Sequence, residues 1–227
     1  MCHLAMPLPV PLKASFMGAL FHSLMALFSG ERQRQCRAPY DIVLEGSNII
    51  LRMPDVGDWR AWTKLRELSA SFLMPWEPLW PPDAVSQSFY MRQWRRFARR
   101  WVQDREYAFL IFRRGQDNQE GGLLGGITIT DIKRSVYQVG TLGYWMGAPF
   151  AGQGVMREAI SLILPFAFDA LQLHRIEATV MPENERSLRL LRGLGFREVG
   201  LSKHNMQIEG AWRDQLMFEK IRQSNSQ

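Results

Sequence analysis

Residues 143–159, GYWMGAPFAGQGVMREA, pass from a strand-like run through a glycine-rich bend into an apolar helical pattern. Glycines 147, 152 and 154 let backbone N–H groups converge, and a helix predicted to begin near Val155 points its positive end at the same place. A phosphate or pyrophosphate would be held there without side-chain charge. Gly-x-Gly before a helix is also common as a tight turn, so the bend alone leaves both interpretations open.

The segments before the bend limit the kind of ligand. No Gly-Lys-Ser/Thr follows the glycines, so the bend is not a Walker motif. Three strand-like runs precede it, at 106–114, 121–133 and 135–146, with turn-forming residues between them. They predict an antiparallel meander, which argues against a dinucleotide fold with a leading βαβ unit. If the bend binds a ligand, the candidate is therefore a different pyrophosphate carrier.

The rest of the chain predicts an α+β domain. We expect a strand near residue 49, a helix capped by Asp58, and an ordered, extended loop over 69–82, where four prolines lie among aromatic residues. After the bend we expect a helix from Val155 to about Leu171, which Pro165 must bend or where it must mark a change of packing. A strand, a short helix and a closing hairpin follow. The hairpin is predicted to turn at Glu209-Gly210.

The composition is that of an ordinary globular protein. The 227 residues are 46% apolar and 22% charged, enough for one domain with an extension. The net charge of +6 favours an acidic partner, such as nucleic acid, a ribosome surface, a phosphorylated cofactor or an anionic membrane. The only cysteines are Cys2 and Cys36 and the four histidines are scattered, so we expect neither a disulfide framework nor a metal site.

Residues 1–40 form an N-terminal extension with its own composition. Its apolar run, 14–28, is shorter than the roughly 20 residues of a spanning helix and lacks a signal-peptide cleavage pattern. We expect a disordered or loosely docked extension, part of which precedes the true start if Met25 initiates; an interfacial helix is the alternative. The folded domain is predicted over 41–227, with no membrane span.

A strongly basic helix is predicted over 90–105. Its apolar stripe has helical spacing, and five arginines occupy the other faces. A solvated helix face and a surface that docks on the ribosome, on RNA or on an acidic protein are both compatible with this pattern. The stripe consists of Tyr90, Trp94, Phe97 and Trp101.

Several stretches together resemble the GNAT acetyltransferase superfamily, and more closely its RimJ/RimL branch of ribosomal-protein N-acetyltransferases. They are IILRMPDVGDWRAW, FLMPWEP, LLGGITIT, GYWMGAPFAGQGVMREA, LPFAFDALQLHRIEATVMPENERSLRLLRGLGFREVG and IEGAWRDQLMF. They span about Ser47 to Phe218. The resemblance implies a mixed α/β GNAT fold, with a mostly antiparallel central sheet of about seven strands flanked by helices. The sheet is expected to splay after Met146, with acetyl-CoA in the gap.

The resemblance also implies a cofactor site without a metal. Amides near Trp145 and Met146 would pair with the pantetheine arm and polarise the thioester carbonyl. The superfamily usually has Gln or Arg where this chain has Pro149, so backbone donors must hold the pyrophosphate. The residues implied to bind acetyl-CoA are Trp145, Met146, Gly147, Gly152, Gln153, Gly154, Val155, Met156, Asn184 and Ser187.

The implied catalytic residues are Ser187 and Glu77. Many superfamily members have a tyrosine general acid where this chain has Leu191, so Ser187 or water must protonate the departing thiolate. Without the resemblance, Asn184 reads as a helix N-cap and Ser187 as a surface hydroxyl. Candidates for the general base are Glu77, Glu177 and ordered water, and each glutamate also has a structural interpretation.

The predicted function is therefore acetyl-CoA-dependent N-acetylation in the cytoplasm. An α-amine with a pKa near 8 is partly neutral at physiological pH, which favours N-terminal amines over lysine. With no cysteine in the matching region, we expect direct transfer in a ternary complex. We expect the acceptor to be the N-terminal alanine of a ribosomal protein and the enzyme to be a monomer or homodimer. The alternatives are a small amine acceptor, or a non-catalytic acyl-CoA-binding or ribosome-assembly module.

Overall fold

A mixed β-sheet organises the protein. The computed structural model describes residues 42–115 and 120–223. Its strands are β1 (Val43–Glu45), β2 (Ile49–Arg52), β3 (Tyr107–Arg114), β4 (Glu120–Lys133), β5 (Val139–Met146), β6 (Arg175–Val180), β7 (Arg197–Ile208) and β8 (Ala211–Ile221). They join in the order β1-β2-β3-β4-β5-β6-β8-β7, and only the β5–β6 pair is parallel. The mostly antiparallel sheet is confirmed; it has eight strands in the described chain rather than about seven, because the short β1 adds an edge.

Helices cover both faces of the sheet. The α-helices of the described chain are α1 (Trp59–Leu68), α2 (Ala70–Leu73), α3 (Gln87–Val102), α4 (Val155–Pro165) and α5 (Glu185–Gly193). Leu65 of α1 packs with Leu110, Phe112 and Leu123 in a small cluster on one face. Buried residues of α4 and α5 join the main core on the other face. No helix of the described chain has the length and apolar character needed to cross a membrane.

The crossover from β5 to β6 passes through α4 and ends in a five-residue π-helical turn, Phe166–Ala170. A parallel pair requires such a crossover. Proline lacks the N–H that an α-helical turn needs, and α4 ends at Pro165 where the π-turn begins. Phe166 of this turn packs edge-on against Tyr107 and Phe109. The expected change at Pro165 is therefore present.

Two local expectations were wrong. The Asp58 side chain makes no cap bond to α1; it accepts from Arg52 at 2.7–2.8 Å and from the Asp55 N–H instead. The segment expected to be an extended loop contains α2 and a 3-10 turn, Met74–Trp76. The following helix begins at Gln87, since Ser86 caps it by accepting from the Phe89 N–H. The N-terminal extension 1–40 and Met25 lie outside the described residues.

Candidate functional site

A cleft opens where β5 and β6 separate. Their register ends at Thr141 and Glu177, although β5 continues beside β4 to Met146 and β6 continues beside β8 to Val180. Among the described residues, one edge of 142–146 therefore has no strand partner, and alternate N–H and C=O groups of that edge face the gap. The cleft has a volume of about 1200 Å³ and is lined by β5, the glycine bend, α5 and the α2 segment.

The glycine bend forms one end of the cleft. Gly152 and Gly154 have φ values of +80° and +81°, in the left-handed region that favours glycine. Gly154 is the N-cap of α4 and no side chain caps this helix end. The first N–H groups of a helix have no intrahelical acceptor. The bend thus presents uncapped backbone donors and the positive end of the α4 dipole to the cleft.

The bend is anchored on both sides. The Gly147 N–H donates to the Leu124 carbonyl at 2.8 Å, so this amide completes the β4–β5 ladder. The Ala148 N–H donates to the fully buried Ser69 hydroxyl at 2.9 Å. Gln153 donates through its side chain to the Pro149 carbonyl at 2.9 Å. Of the residues implied to bind the cofactor, Gly147 and Gln153 hold the bend in shape and do not line the cleft.

The start of α5 forms the wall opposite β5. Asn184 is its N-cap, with the side-chain oxygen accepting from the Ser187 N–H at 3.2 Å. The cap bond does not use the Asn184 NH₂ group, and both residues line the cleft. Leu191, one turn beyond Ser187, is fully buried in the core. The residue at this position therefore supplies no polar group to the cleft.

Tyr144 of β5 also lines the cleft, and the sequence did not single it out. Its hydroxyl is buried and has no hydrogen-bond partner among the described residues. Burial raises the pKa of Tyr144, and the nearby Ser187 hydroxyl opposes that rise. The available signal was strand alternation, which puts Leu142, Tyr144 and Met146 on the face covered by α4.

The third wall contains Glu77. Its carboxylate accepts two hydrogen bonds from Arg66, at 2.8 and 2.5 Å, and one from the Trp80 indole at 2.7 Å. The Arg66 guanidinium also lies over the Trp80 and Trp145 rings, at 4.3 and 5.1 Å. The Glu77 carbonyl accepts from the Glu209 N–H at the tip of the β7–β8 hairpin. Glu77 thus joins α1, the loop before α3 and the hairpin tip.

Two further polar side chains lie on neighbouring strands of the sheet, Glu177 on β6 and Gln215 on β8. Glu177 forms an ion pair with Arg175 at 3.0 Å and does not line the cleft. Gln215 of β8 does line it, with 2% of its surface exposed. The Gln215 NH₂ group has no hydrogen-bond partner among the described residues. A buried donor of this kind is costly unless a ligand or water satisfies it.

The arginines of α3 are largely used in ion pairs. Arg96 and Arg100 lie 3.3 and 2.8 Å from the carboxylate of Glu106, which is 1% exposed. Arg92 pairs with Asp83 at 2.5 Å. Burial raises the pKa of Glu106, and the two arginines oppose this. Arg95 and Arg99 remain exposed on the helix surface.

A family model agrees with this architecture. Residues 48–197 match the acetyltransferase (GNAT) domain, and this match covers most of the sheet, the glycine bend and α5. The chain belongs to the GNAT family. A GNAT domain is an acyltransferase, so this protein is an enzyme of that class. The described residues hold no group of three or more His, Cys, Asp or Glu side chains placed to bind a metal.

Its relatives narrow the branch of the GNAT family. The chain is 31% identical over 172 residues to a probable N-acetyltransferase, YjcK, of Bacillus subtilis. This alignment covers 76% of this chain and 93% of the relative. It is 30% identical over 146 residues to the [ribosomal protein uS5]-alanine N-acetyltransferase of Escherichia coli. This alignment covers 64% of this chain and 73% of the relative. The structure of Mycobacterium smegmatis RimJ in complex with CoA-disulfide is similar to this chain, with a TM-score of 0.74 and 29% sequence identity. The match covers 81% of this chain and 88% of that one. The RimJ/RimL-like fold is confirmed.

Proposed function

We propose that this protein transfers the acetyl group of acetyl-CoA to the N-terminal alanine of a ribosomal protein. The observation that carries the proposal is the 30% identity to the E. coli enzyme that modifies an alanine of uS5. The matched GNAT region includes β5, the glycine bend and the start of α5, which are three parts of the cleft wall. The relative with 31% identity has no substrate in its name, so the acceptor rests on the cleft as well.

The cleft fits acetyl-CoA as donor. The pyrophosphate of acetyl-CoA would lie at the uncapped start of α4. There the first backbone N–H groups have no intrahelical acceptor, and the helix dipole has its positive end. The open edge of residues 142–146 supplies alternate peptide groups for the amides of the pantetheine arm. The Asn184 NH₂ group offers a further donor on the opposite wall. When bound, acetyl-CoA supplies an activated acyl group.

The residues of the chain need not form a covalent bond with the acetyl group in this reaction. Transfer forms a C–N bond, breaks a C–S bond and moves one proton from nitrogen to sulfur overall. Since an α-amine with a pKa near 8 is partly neutral at physiological pH, a strong base is not required. The Glu77 carboxylate accepts three hydrogen bonds from Arg66 and Trp80, so we assign it to holding the acceptor side of the cleft in shape. Ser187 donates a hydrogen bond to the departing sulfur.

Gln215 favours a peptide acceptor. Its buried NH₂ group needs an acceptor atom, and a peptide brings carbonyl oxygens to the cleft. A polyamine carries only donors in its charged form and cannot accept a hydrogen bond from this group. A peptide N-terminus therefore satisfies the cleft better than a polyamine.

The test is acetyl-CoA turnover, read as release of free thiol. Acceptors are peptides that begin with alanine, serine or another residue, beside a polyamine and an aminoglycoside. We expect release with the alanine-starting peptide, and a corresponding mass gain of one acetyl group at its N-terminus. Release of thiol with small amines alone would overturn the proposed peptide acceptor and leave acetyl-CoA as the donor. Tight acetyl-CoA binding without release from any acceptor would instead support the non-catalytic module.

A further inference from the structure

The buried hydroxyl of Tyr144 has no structural use in the described chain. It has no hydrogen-bond partner within residues 42–115 and 120–223, and leaving a buried hydroxyl unpaired costs about 1–3 kcal/mol. A phenylalanine would fill the same space without this cost. The phenol oxygen therefore calls for an explanation outside packing.

The position of Tyr144 connects it to the chemistry of the cleft. It lies on the part of β5 beyond the last β6 pair, at Thr141, so its face of the strand borders the gap. Ser187 lies close enough to affect its pKa, although the two oxygens form no hydrogen bond. Leu191 is in the core, so the start of α5 offers Ser187 as its hydroxyl near this point. Tyr144 on β5 and Ser187 at the start of α5 thus line the same cleft.

We infer that the Tyr144 hydroxyl is a positioning residue for acetyl transfer, donating a hydrogen bond to the Ser187 oxygen and directing the Ser187 proton toward the leaving sulfur. The inference rests on the proposed acetyl transfer. Ser187 has one proton and two lone pairs, so accepting from Tyr144 leaves its own O–H free to donate. Catalytic hydrogen bonds are often long or poorly aligned before substrate binds, so the open bond in the empty cleft agrees with this role.

Tyr144 orients the serine and does not supply the proton. Burial raises the pKa of Tyr144, which keeps its hydroxyl protonated and able to donate. The sulfur takes up the proton that the attacking nitrogen releases, by way of solvent, and the Ser187 hydrogen bond stabilises the sulfur as the C–S bond breaks. Both hydroxyls are unchanged at the end of the transfer.

The experiment is a double-mutant cycle with Tyr144→Phe and Ser187→Ala. Tyr144→Phe removes one oxygen atom, so we expect the single-turnover rate of acetyl transfer to fall about tenfold, with acetyl-CoA affinity unchanged. In the Ser187→Ala background, Tyr144→Phe should cause no further loss, because the oxygen that it orients is gone. A merely structural role would instead multiply the two losses.

The matched control is Tyr107→Phe. Tyr107 is 8% exposed, and its hydroxyl donates to Asp104 at 2.7 Å, outside the cleft. This variant should keep the wild-type transfer rate. Wild-type transfer by Tyr144→Phe, or multiplicative losses in the cycle, would overturn the inference while leaving the proposed function intact. A wild-type enzyme that transfers only to small amines would overturn the proposed acceptor, and the cycle would then be measured with that amine.

Discussion

At the scale of single residues, Gly154 decides whether the cleft can hold an anion. Its φ of +81° costs a non-glycine residue about 1–2 kcal/mol, and a Cβ added there would meet no atom within 4 Å. A larger side chain is therefore strained without disturbing the core, and it extends over the uncapped start of α4. We predict that Gly154→Arg folds, with Tm lowered by about 2–8 °C, and no longer binds acetyl-CoA.

The measurement is the ligand-induced change in Tm. At acetyl-CoA concentrations near 100 times Kd, the wild type should gain about 5–10 °C, and Gly154→Arg should gain nothing. Gly210→Arg is the control, since Gly210 has a φ of +77°, equally open surroundings and a place in the hairpin turn outside the cleft lining. It should lose similar stability and keep the ligand response. A normal response in Gly154→Arg would show that the bend does not hold the donor.

At the scale of secondary-structure elements, the Glu77 carboxylate connects segments that form the acceptor side of the cleft. The Arg66 and Glu77 side chains are only 12% and 22% exposed, so loss of the charge weakens two charge-assisted hydrogen bonds. We predict that Glu77→Gln lowers the free energy of unfolding by about 1–3 kcal/mol and raises KM for the acceptor. The value of kcat at saturating acceptor should stay within about threefold of wild type.

The competing role of Glu77 as general base gives a different result. Loss of a general base lowers kcat by about 10²–10⁴-fold, with the acceptor still bound. Steady-state kinetics and thermal unfolding of the same variant separate the two roles. Asp83→Asn is the control, because its ion pair with Arg92 joins side chains that are 42% and 53% exposed and should contribute little.

The basic helix α3 makes a prediction at the same scale. Three of its arginines are paired with Asp83 or Glu106, which leaves Arg95 and Arg99 as its exposed arginines with no ion pair among the described residues. If this face docks on ribosomal RNA, we expect Arg95 and Arg99 to make two phosphate contacts. We predict that Arg95→Glu/Arg99→Glu acetylates a free peptide normally and binds ribosomes with a salt-dependence slope reduced by about 2.

The control for α3 carries the same change of charge elsewhere. Lys133 and Lys203 are exposed and lie outside this helix, so Lys133→Glu/Lys203→Glu should leave that slope unchanged. Equal slopes in all three proteins would show that α3 is a solvated helix face. Loss of free-peptide acetylation in the α3 variant would point to a folding defect, which thermal unfolding detects.

At the scale of the whole molecule, the sequence predicted what depends on neighbouring residues. Alternating apolar residues gave the meander, and Glu209-Gly210 gave the hairpin turn, where both residues have positive φ. Local patterns failed where distant residues compete. Asp58 was expected to cap a helix, but it pairs with Arg52, which also binds Glu120 from β4.

The same reason explains which parts of the site were missed. The glycine bend is a local motif, and its left-handed glycines lie where the pattern placed them. The unpaired Tyr144 hydroxyl depends on the point where β6 leaves β5, and the engagement of Glu77 depends on Arg66, eleven residues earlier. Neither can be derived from spacing, since each arises when separate segments meet in the folded chain.

The chemistry of the whole domain leads to a final prediction about reaction order. Residues 41–227 contain no cysteine, so the folded domain has no thiolate to accept the acetyl group. We predict intersecting double-reciprocal plots when acetyl-CoA and an alanine-starting peptide are varied, as direct transfer in a ternary complex requires. Incubation with radiolabelled acetyl-CoA alone should leave the protein unlabelled, and adding the peptide should move the label to the peptide. Parallel plots together with labelled protein would establish a covalent acetyl-enzyme, and Ser187→Ala would then show whether its hydroxyl carries the acetyl group.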